Sequence, residues 1–317
     1  MRKVTYTEAA MEALQEEFRR DKKTVHLATD MNQPLLEEFG AERVRSTPIS
    51  ESAFVGAAIG LAGSGFRPVA DIRMATFGFV AMDQMMNQAA KITYMFGGQA
   101  KFPILYRMSV GTGMSMAAQH SINPYPMYMN IPGLKIILPS TPYDVKGLLK
   151  TAIRENNPVI SFEHMGLGEL VGEVPEEEYT IPIGQADVKI EGDQLTIVSY
   201  GKAMKIALET AQVLQKEFNV SAEVIDIRTI RPLDFNAIVN SIKKTNRLVI
   251  IEEQFPMCSI GSEIAYRVQK DAFDYLDAPI RKIASLDANL HYANNLVLAN
   301  LPSVERALEA AKSVLYI

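Results

Sequence analysis

Two polar residues stand in contexts where chemistry could be placed. Glu51 follows STPIS and opens the stretch ESAFVGAAIGLAGSG, with Ser50 as the expected helix cap. A carboxylate in a helix's first turn ordinarily answers the helix dipole, and on composition alone that is the simpler reading. His120 lies in MAAQHSINPYP, a loop-like stretch after a Gly- and Met-rich segment, where an imidazole can serve as acid, base or donor to a charged intermediate. A satisfied loop or core histidine is its simpler reading. Both residues stay open on this information.

Other routes to chemistry are closed more firmly. GLAGSGF at 60–66 and VGTGMSM at 110–116 match neither GxGxxG nor GxxxxGK[ST], so neither is a dinucleotide fingerprint or a P-loop. His26, His120, His164 and His291 are isolated from one another, and neither HExxH nor a Cys/His cluster with ligand spacing occurs, which argues against catalytic zinc. GxSxG is absent too, which lowers the case for an α/β-hydrolase.

The elements that must position Glu51 and His120 follow from length and pattern. A chain of 317 residues is about twice the usual domain length, so two domains are expected. Apolar residues at 48% and charged residues at 22% fit an ordinary globular chain rather than a disordered one. The net charge of −5 leaves no basic surplus for a phosphate backbone, so no nucleic-acid partner is expected. The single cysteine, Cys258, fits a reducing compartment. With neither a signal-peptide core at the N-terminus nor a run of eighteen apolar residues, the reading is a cytoplasmic protein with no membrane partner.

Thr7 is the expected cap of a helix over 7–18, in which Met11, Leu14 and Phe18 share a face. A strand over Thr24–Ala28 follows, then β-rich runs at Val69–Ile72, Ile104–Met108, Lys135–Leu138 and Val159–Phe162 alternate with helical stretches. That alternation predicts α/β architecture, a parallel sheet covered by helices. Near GLGELVGEVPEEEYTIPIG it lapses and then resumes, which divides the chain into a first domain over 1–168, a linker over 169–187 and a smaller α/β domain over 188–317. Gly56, Gly60 and Gly63 within one helical stretch predict a close helix crossing or subunit contact. Ten of the sixteen methionines fall between Met74 and Met129, which fits either adaptable apolar surfaces or plain core filling. Composition and spacing stop at a soluble two-domain α/β protein, with an enzyme as one open reading.

The strings STPISESAFVGAAIGLAGSGFRPV, MDQMMNQAAKITYMFGGQ, AAQHS, IPGLKIILPSTPYDVKGLLKTAIRENNPVI, GEVPEEEYTIPIGQADV, EVIDIRTIRPLD and FDYLDAPIRKI go further. Through them nearly the whole chain resembles the beta subunits of the thiamine-diphosphate-dependent decarboxylating component of 2-oxo acid dehydrogenase complexes, of the pyruvate, branched-chain and acetoin types, in the transketolase-like group. The resemblance implies a transketolase-like pyrimidine-binding domain followed by a transketolase C-terminal-like domain. It implies that Glu51 hydrogen-bonds the N1′ nitrogen of the cofactor's aminopyrimidine, favouring the imino form whose 4′-nitrogen takes the thiazolium C2 proton. Phe77 matches the aromatic residue that packs on that ring, and Arg73 is expected as a further cofactor contact where relatives often carry an apolar residue. His120 matches the histidine that meets substrate and intermediate and assists acyl transfer to a lipoyl arm.

Transketolase-like enzymes hold the diphosphate through Mg²⁺ on a GDG-then-Asn motif, which this chain lacks; EGDQ at 191–194 lies in the wrong domain. The resemblance therefore implies that an alpha subunit carries that motif and the Mg²⁺, in an α2β2 assembly. It also implies a K⁺ ion on oxygens, mainly carbonyls, of Ile104, Ala152, Ile153, Glu155 and Asn157. The chain departs from the family pattern in several places. TDMNQPLLEE is shorter than the usual loop with paired glycines, Met108 and Ser109 replace a glycine and a proline, NPYPMYMN precedes IPGL, and LDANLHYANN replaces a Pro-rich motif. A reshaped pocket, a specialised acceptor or a complex without the lipoyl core each accommodates these changes. The leading expectation is a 2-oxo acid dehydrogenase beta subunit passing its acyl unit to a lipoyl acyltransferase. The alternatives are a split acyloin synthase or transketolase-type carbon–carbon ligase acting on a ketose, and a non-catalytic scaffold.

Overall fold

The structure, a computed structural model, describes residues 1–317. The chain opens with β1 (Arg2–Thr5), α1 (Tyr6–Arg20), β2 (Thr24–Ala28), α2 (Gln33–Phe39), β3 (Val44–Ser46), α3 (Glu51–Gly63) and β4 (Arg67–Met74). A 3₁₀ segment over Ala75–Ala81 and a π-helical stretch over Asp83–Ala89 lead into α4 (Ala90–Met95). Next come β5 (Leu105–Val110), the short helices α5 (Ala117–His120) and α6 (Tyr125–Met129), β6 (Lys135–Ile137), α7 (Pro142–Arg154), β7 (Val159–His164) and β8 (Val171–Val174). The remainder is β9 (Asp187–Ile190), β10 (Leu195–Ser199), α8 (Met204–Phe218), β11 (Ala222–Asp226), β12 (Thr229–Arg231), α9 (Phe235–Thr245), β13 (Leu248–Ile251), α10 (Ile260–Asp271), β14 (Arg281–Ile283), α11 (Asn294–Asn300) and α12 (Val304–Leu315).

Two compact units result: 1–111 with 127–183, and 112–126 with 184–317. The segment 112–126, read from sequence as part of the first domain, groups with the second, because its buried polar groups find their partners there. Nor is 169–187 a bare linker. β8 pairs antiparallel with β1 from Arg2↔Val174 to Thr5↔Val171, and Ile181 joins the first unit's core.

In the first unit six strands run parallel in the order β6-β7-β5-β4-β2-β3. Registered residues Val44, Val69, Leu105 and Val159 pack on one face against Ala9, Ala13, Leu14 and Phe18 of α1 and Val145, Leu148 and Leu149 of α7. Since successive strand residues point to opposite faces, Ala70, Tyr106 and Ile160 are buried on the other, on the side of α3. A sheet covered on both faces needs continuous apolar runs, which these strands supply.

The cap of α1 is Thr5 rather than Thr7. Thr5 accepts from the Glu8 amide while the Glu8 carboxylate accepts from the Thr5 amide, a reciprocal capping box, and Thr7 instead donates its hydroxyl to the Gly168 carbonyl at 3.1 Å. Polar residues set the register of α1 on α7. Lys146 and Lys150, both buried, reach Glu16 at 2.7 and 2.6 Å, and Arg154 pairs with the fully buried Glu17.

The second unit carries the sheet order β14-β13-β10-β11-β9, parallel except for the antiparallel edge strand β9. α8 and α12 cover one face through Ala207, Ala211, Leu214, Ala307, Ala311 and Val314.

His26, on β2, is buried with neither ring nitrogen hydrogen-bonded. Burial lowers its pKa from 6.5 to about 4, against the opposing pull of Asp71. As pH falls through that interval the unfolded chain takes up a proton that the folded chain refuses, so stability drops toward pH 4 by up to about 3 kcal/mol. His26→Leu is expected to flatten this acid limb. Urea unfolding at about pH 7 and about pH 4.5 should show a smaller loss for the variant than for the parent.

Candidate active site

Because the strands of the first sheet are parallel, the segments after β2, β3 and β4 leave from one edge, the usual place for a ligand in such a sheet. Three of the expected residues lie there. Glu51 is the first residue of α3, Arg73 sits in the last turn of strand β4, and Phe77 lies in the following 3₁₀ segment.

Ser50 precedes α3 but does not cap it with its side chain, contrary to the sequence expectation, and its carbonyl accepts from Ala53 and Phe54. The adjacent Ser52 ties the helix start to the segment bearing Phe77 by donating its hydroxyl to the Val80 carbonyl at 2.6 Å. The Glu51 side chain is only 9% exposed, and no hydrogen bond or ion pair meets its carboxylate. Its oxygens are not among the fully buried unpartnered atoms, so the carboxylate of this largely buried residue stays open to a donor from outside the chain. Glu51 thus stands at the C-terminal edge of the sheet, at the start of the helix that Ser52 ties to the segment bearing the half-buried Phe77.

Arg73 is presented differently. The β4–β5 register slips between Asp71 and Met74, and Arg73 takes φ +67°, a left-handed conformation that costs a residue with a Cβ about 1–2 kcal/mol. The slip turns its side chain outward to pair with Asp30 at 3.1 Å, just beyond β2, with both side chains more than half exposed.

His120 ends α5 and is half-buried, in the second unit. The structure thus gathers Glu51, Arg73 and Phe77 in one unit and gives His120 to the other. Residues that the sequence reading passed over support each group: Ser52 for the first, and Thr112 and Asn123 for the second. Their signal was weak, a lone hydroxyl or amide in a loop, though Asn123 before Pro124 marks a turn.

Three of the five residues expected to hold K⁺ use their oxygens elsewhere. Ala152 and Ile153 are in the last turn of α7, Glu155 follows as its cap, Asn157 precedes β7 and Ile104 precedes β5. The Arg67 guanidinium donates to the carbonyls of Ile153 at 3.0 Å and Glu155 at 2.8 Å, and the Ile104 carbonyl accepts from the Val159 amide. The Glu155 carboxylate pairs with Lys135 at 2.7 Å. The loop meets a guanidinium of its own, so these residues fit a second cation poorly. No three His, Cys, Asp or Glu side chains converge in a way that could hold a metal.

Comparison with known proteins agrees with this layout. Residues 2–169 match the transketolase pyrimidine-binding domain and residues 184–312 the transketolase C-terminal domain. A solved structure described as a split-gene transketolase, an inactive beta4 tetramer, superposes with a TM-score of 0.82 over 99% of this chain and 98% of that one, at 22% identity, which speaks to the fold alone. The architecture is that of the transketolase-like, thiamine-diphosphate-dependent enzymes.

Closer relatives narrow the class. The chain is 45% identical to the pyruvate dehydrogenase E1 component subunit beta of Rickettsia felis, over 99% of this chain and 98% of that protein. It is also 45% identical to the beta subunit of the acetoin:2,6-dichlorophenolindophenol oxidoreductase of Bacillus subtilis, over 89% and 82% respectively. The chain belongs to the family of E1 beta subunits of the thiamine-diphosphate-dependent 2-oxo acid dehydrogenases.

A glycine makes this edge possible. A Cβ on Gly78 would lie 2.6 Å from the Tyr128 hydroxyl and 3.1 Å from the Met108 sulfur, so the 3₁₀ segment packs closely only without a side chain there. Gly78→Ala should cost about 1–3 kcal/mol by overpacking. It should also weaken thiamine diphosphate binding by the assembled enzyme through displacement of Phe77. Calorimetric titration of the cofactor against parent and variant checks this.

Proposed function

We propose that this chain forms the beta half of a 2-oxo acid dehydrogenase active site, with thiamine diphosphate and Mg²⁺ completed by an alpha subunit that carries the GDG and Asn motif in an α2β2 assembly. One observation carries the reading: the nearly buried, unpartnered Glu51 carboxylate at the C-terminal edge of the first sheet. Glu51 holds the shared proton at the aminopyrimidine N1′ nitrogen. Phe77 packs on the ring and keeps it from tilting. Thiamine diphosphate, when bound, would supply the nucleophilic carbon and the electron sink that decarboxylation of a 2-oxo acid needs. His120 donates to the substrate oxygen as charge develops there, and serves again when the acyl unit leaves. Arg73, paired with Asp30, stands as an outer contact toward the cofactor or the partner chain.

A lipoyl acyltransferase is the acceptor in this reading, and a cytoplasmic setting agrees with the single, unpaired Cys258. No helix is long and apolar enough to cross a membrane. The carbon–carbon ligase alternative has only the shared fold behind it, and a product screen with and without lipoamide separates the two.

The deciding experiment is Glu51→Gln in the complex purified with its alpha chain. Thiamine C2–H exchange followed by NMR should slow by about a hundredfold or more while the thermal midpoint stays put, the scale expected when a positioned proton-transfer group is lost. Unchanged exchange would remove Glu51 from the mechanism.

A further inference from the structure

The residues 112–126 leave the end of β5, carry His120, and are laced to the second unit by a compact set of buried polar contacts. The Thr112 hydroxyl lies 2.9 Å from the Ser121 carbonyl and 2.5 Å from the Asn123 side-chain oxygen, closing the segment across its base. Asn123 is buried and works on both sides. Its side-chain amide donates to the Glu253 carbonyl at 3.0 Å, and its own carbonyl accepts from the Gln254 side chain at 3.0 Å. Glu253 and Gln254 follow β13, where Ser285 holds them in turn: its hydroxyl donates to the Glu253 carbonyl and its amide to the Gln254 carbonyl. Beyond Asn123, Tyr125 meets Tyr200 edge-on, and the Tyr200 hydroxyl donates to the buried Glu252 at 2.8 Å.

Between these anchors the backbone is under strain. Ser115 and Ala117 take φ of +54° and +57°, and Gly113 takes +75°. Left-handed residues with a Cβ cost of the order of 1–2 kcal/mol each and persist only where their surroundings over-determine them. Here the surroundings are the contacts at Thr112 and Asn123, one at each end of the strained turn.

We propose that Asn123 is a positioning residue for His120: its paired hydrogen bonds to Glu253 and Gln254, with Thr112 closing the base, fix the strained turn that presents the imidazole. The proposal rests on the assignment of His120 above. Asn123 touches no reacting group; it acts by setting the angle and reach of His120, where a displacement of about 1 Å can cost on the order of a hundredfold in rate. Neither periodicity nor a family motif picks it out, because its partners lie 130 and 131 residues downstream.

The test uses the enzyme assembled with its alpha chain, assayed by reduction of 2,6-dichlorophenolindophenol with whichever of pyruvate, branched-chain 2-oxo acids or acetoin the parent oxidises. Asn123→Ala is expected to lower kcat about tenfold or more with KM within about twofold, and to leave thiamine C2–H exchange at the parent rate, since that step belongs to Glu51. The double variant with His120→Ala is expected to be no slower than His120→Ala alone, because groups acting as a unit are not additive. Thr112→Val, which keeps both Asn123 contacts to Glu253 and Gln254, provides a second and milder variant, expected to lose about threefold in kcat if Asn123→Ala proves insoluble. Parent-like kcat in Asn123→Ala, or multiplicative losses in the double variant, would overturn the role of Asn123 while leaving His120 in place. Parent-like turnover in His120→Ala would instead remove the assignment on which the proposal stands.

Discussion

Parallel strand pairing is the constraint on which the rest of the first unit depends. Every strand of its main sheet leaves by the same edge, and each return to the opposite edge needs a crossover that covers one face or the other. Chemistry-bearing segments after β2, β3 and β4 are therefore neighbours along one edge. The strands and their covering helices carry the burial, and the edge is left free to hold groups that a core could not tolerate: a carboxylate without a partner, a left-handed arginine, and a 3₁₀ segment that admits no side chain at Gly78.

Charge is used in two ways in this unit. Between α1 and α7 it is paired: Glu12, Glu16 and Glu17 face Lys146, Lys150 and Arg154, so sliding one helix by a turn would strand buried charges. Such pairs add little net stability but penalise wrong registers. Arg107, held between Asp71 at 3.3 Å and Glu163 at 2.6 Å, and Arg67, gripping the loop after α7, do similar work for strands and turns. Glu51 is the exception. Where the buried carboxylates and cations between α1 and α7 are answered internally, no hydrogen bond or ion pair meets Glu51.

Much of the scaffold was legible because its strands are β-branched runs and its helices amphipathic. The strand Thr24–Ala28 falls where pattern put it, and Lys135–Ile137 and Val159–His164 begin where their apolar runs do. The short strands β1, β3 and β8 were not legible, since three or four residues at a sheet edge carry no reliable period. The start of α1 was misread although its signal was present: Thr5 with Glu8 satisfies the spacing of a capping box, and Thr7 has no such partner at Ala10. For the site, Glu51 and His120 stand out by sequence context, but a specific role for them, and Phe77 altogether, comes only through family resemblance. Their supports were hidden because hydrogen bonds such as Ser52 to Val80 or Asn123 to Glu253 are made by tertiary approach, on which local pattern is silent. The loop oxygens around 152–157 show the reverse case. Carbonyls leave no mark in a sequence, and that a guanidinium already meets two of them could be known only from the fold.

The allegiance of 112–126 also bears on how the chain comes into being. Asn123 and its partner Gln254 are 131 residues apart, so the ribosome completes the whole first-unit sequence before the anchors of this segment exist. At about 5–20 residues per second, that is a wait of roughly 7–26 seconds. During it the methionine-bearing segment lacks its anchors, while the residues of the first unit's core are already made. A nascent chain stalled in that interval would own a folded sheet and an unset histidine, and would be open to chaperones or proteases at one known place.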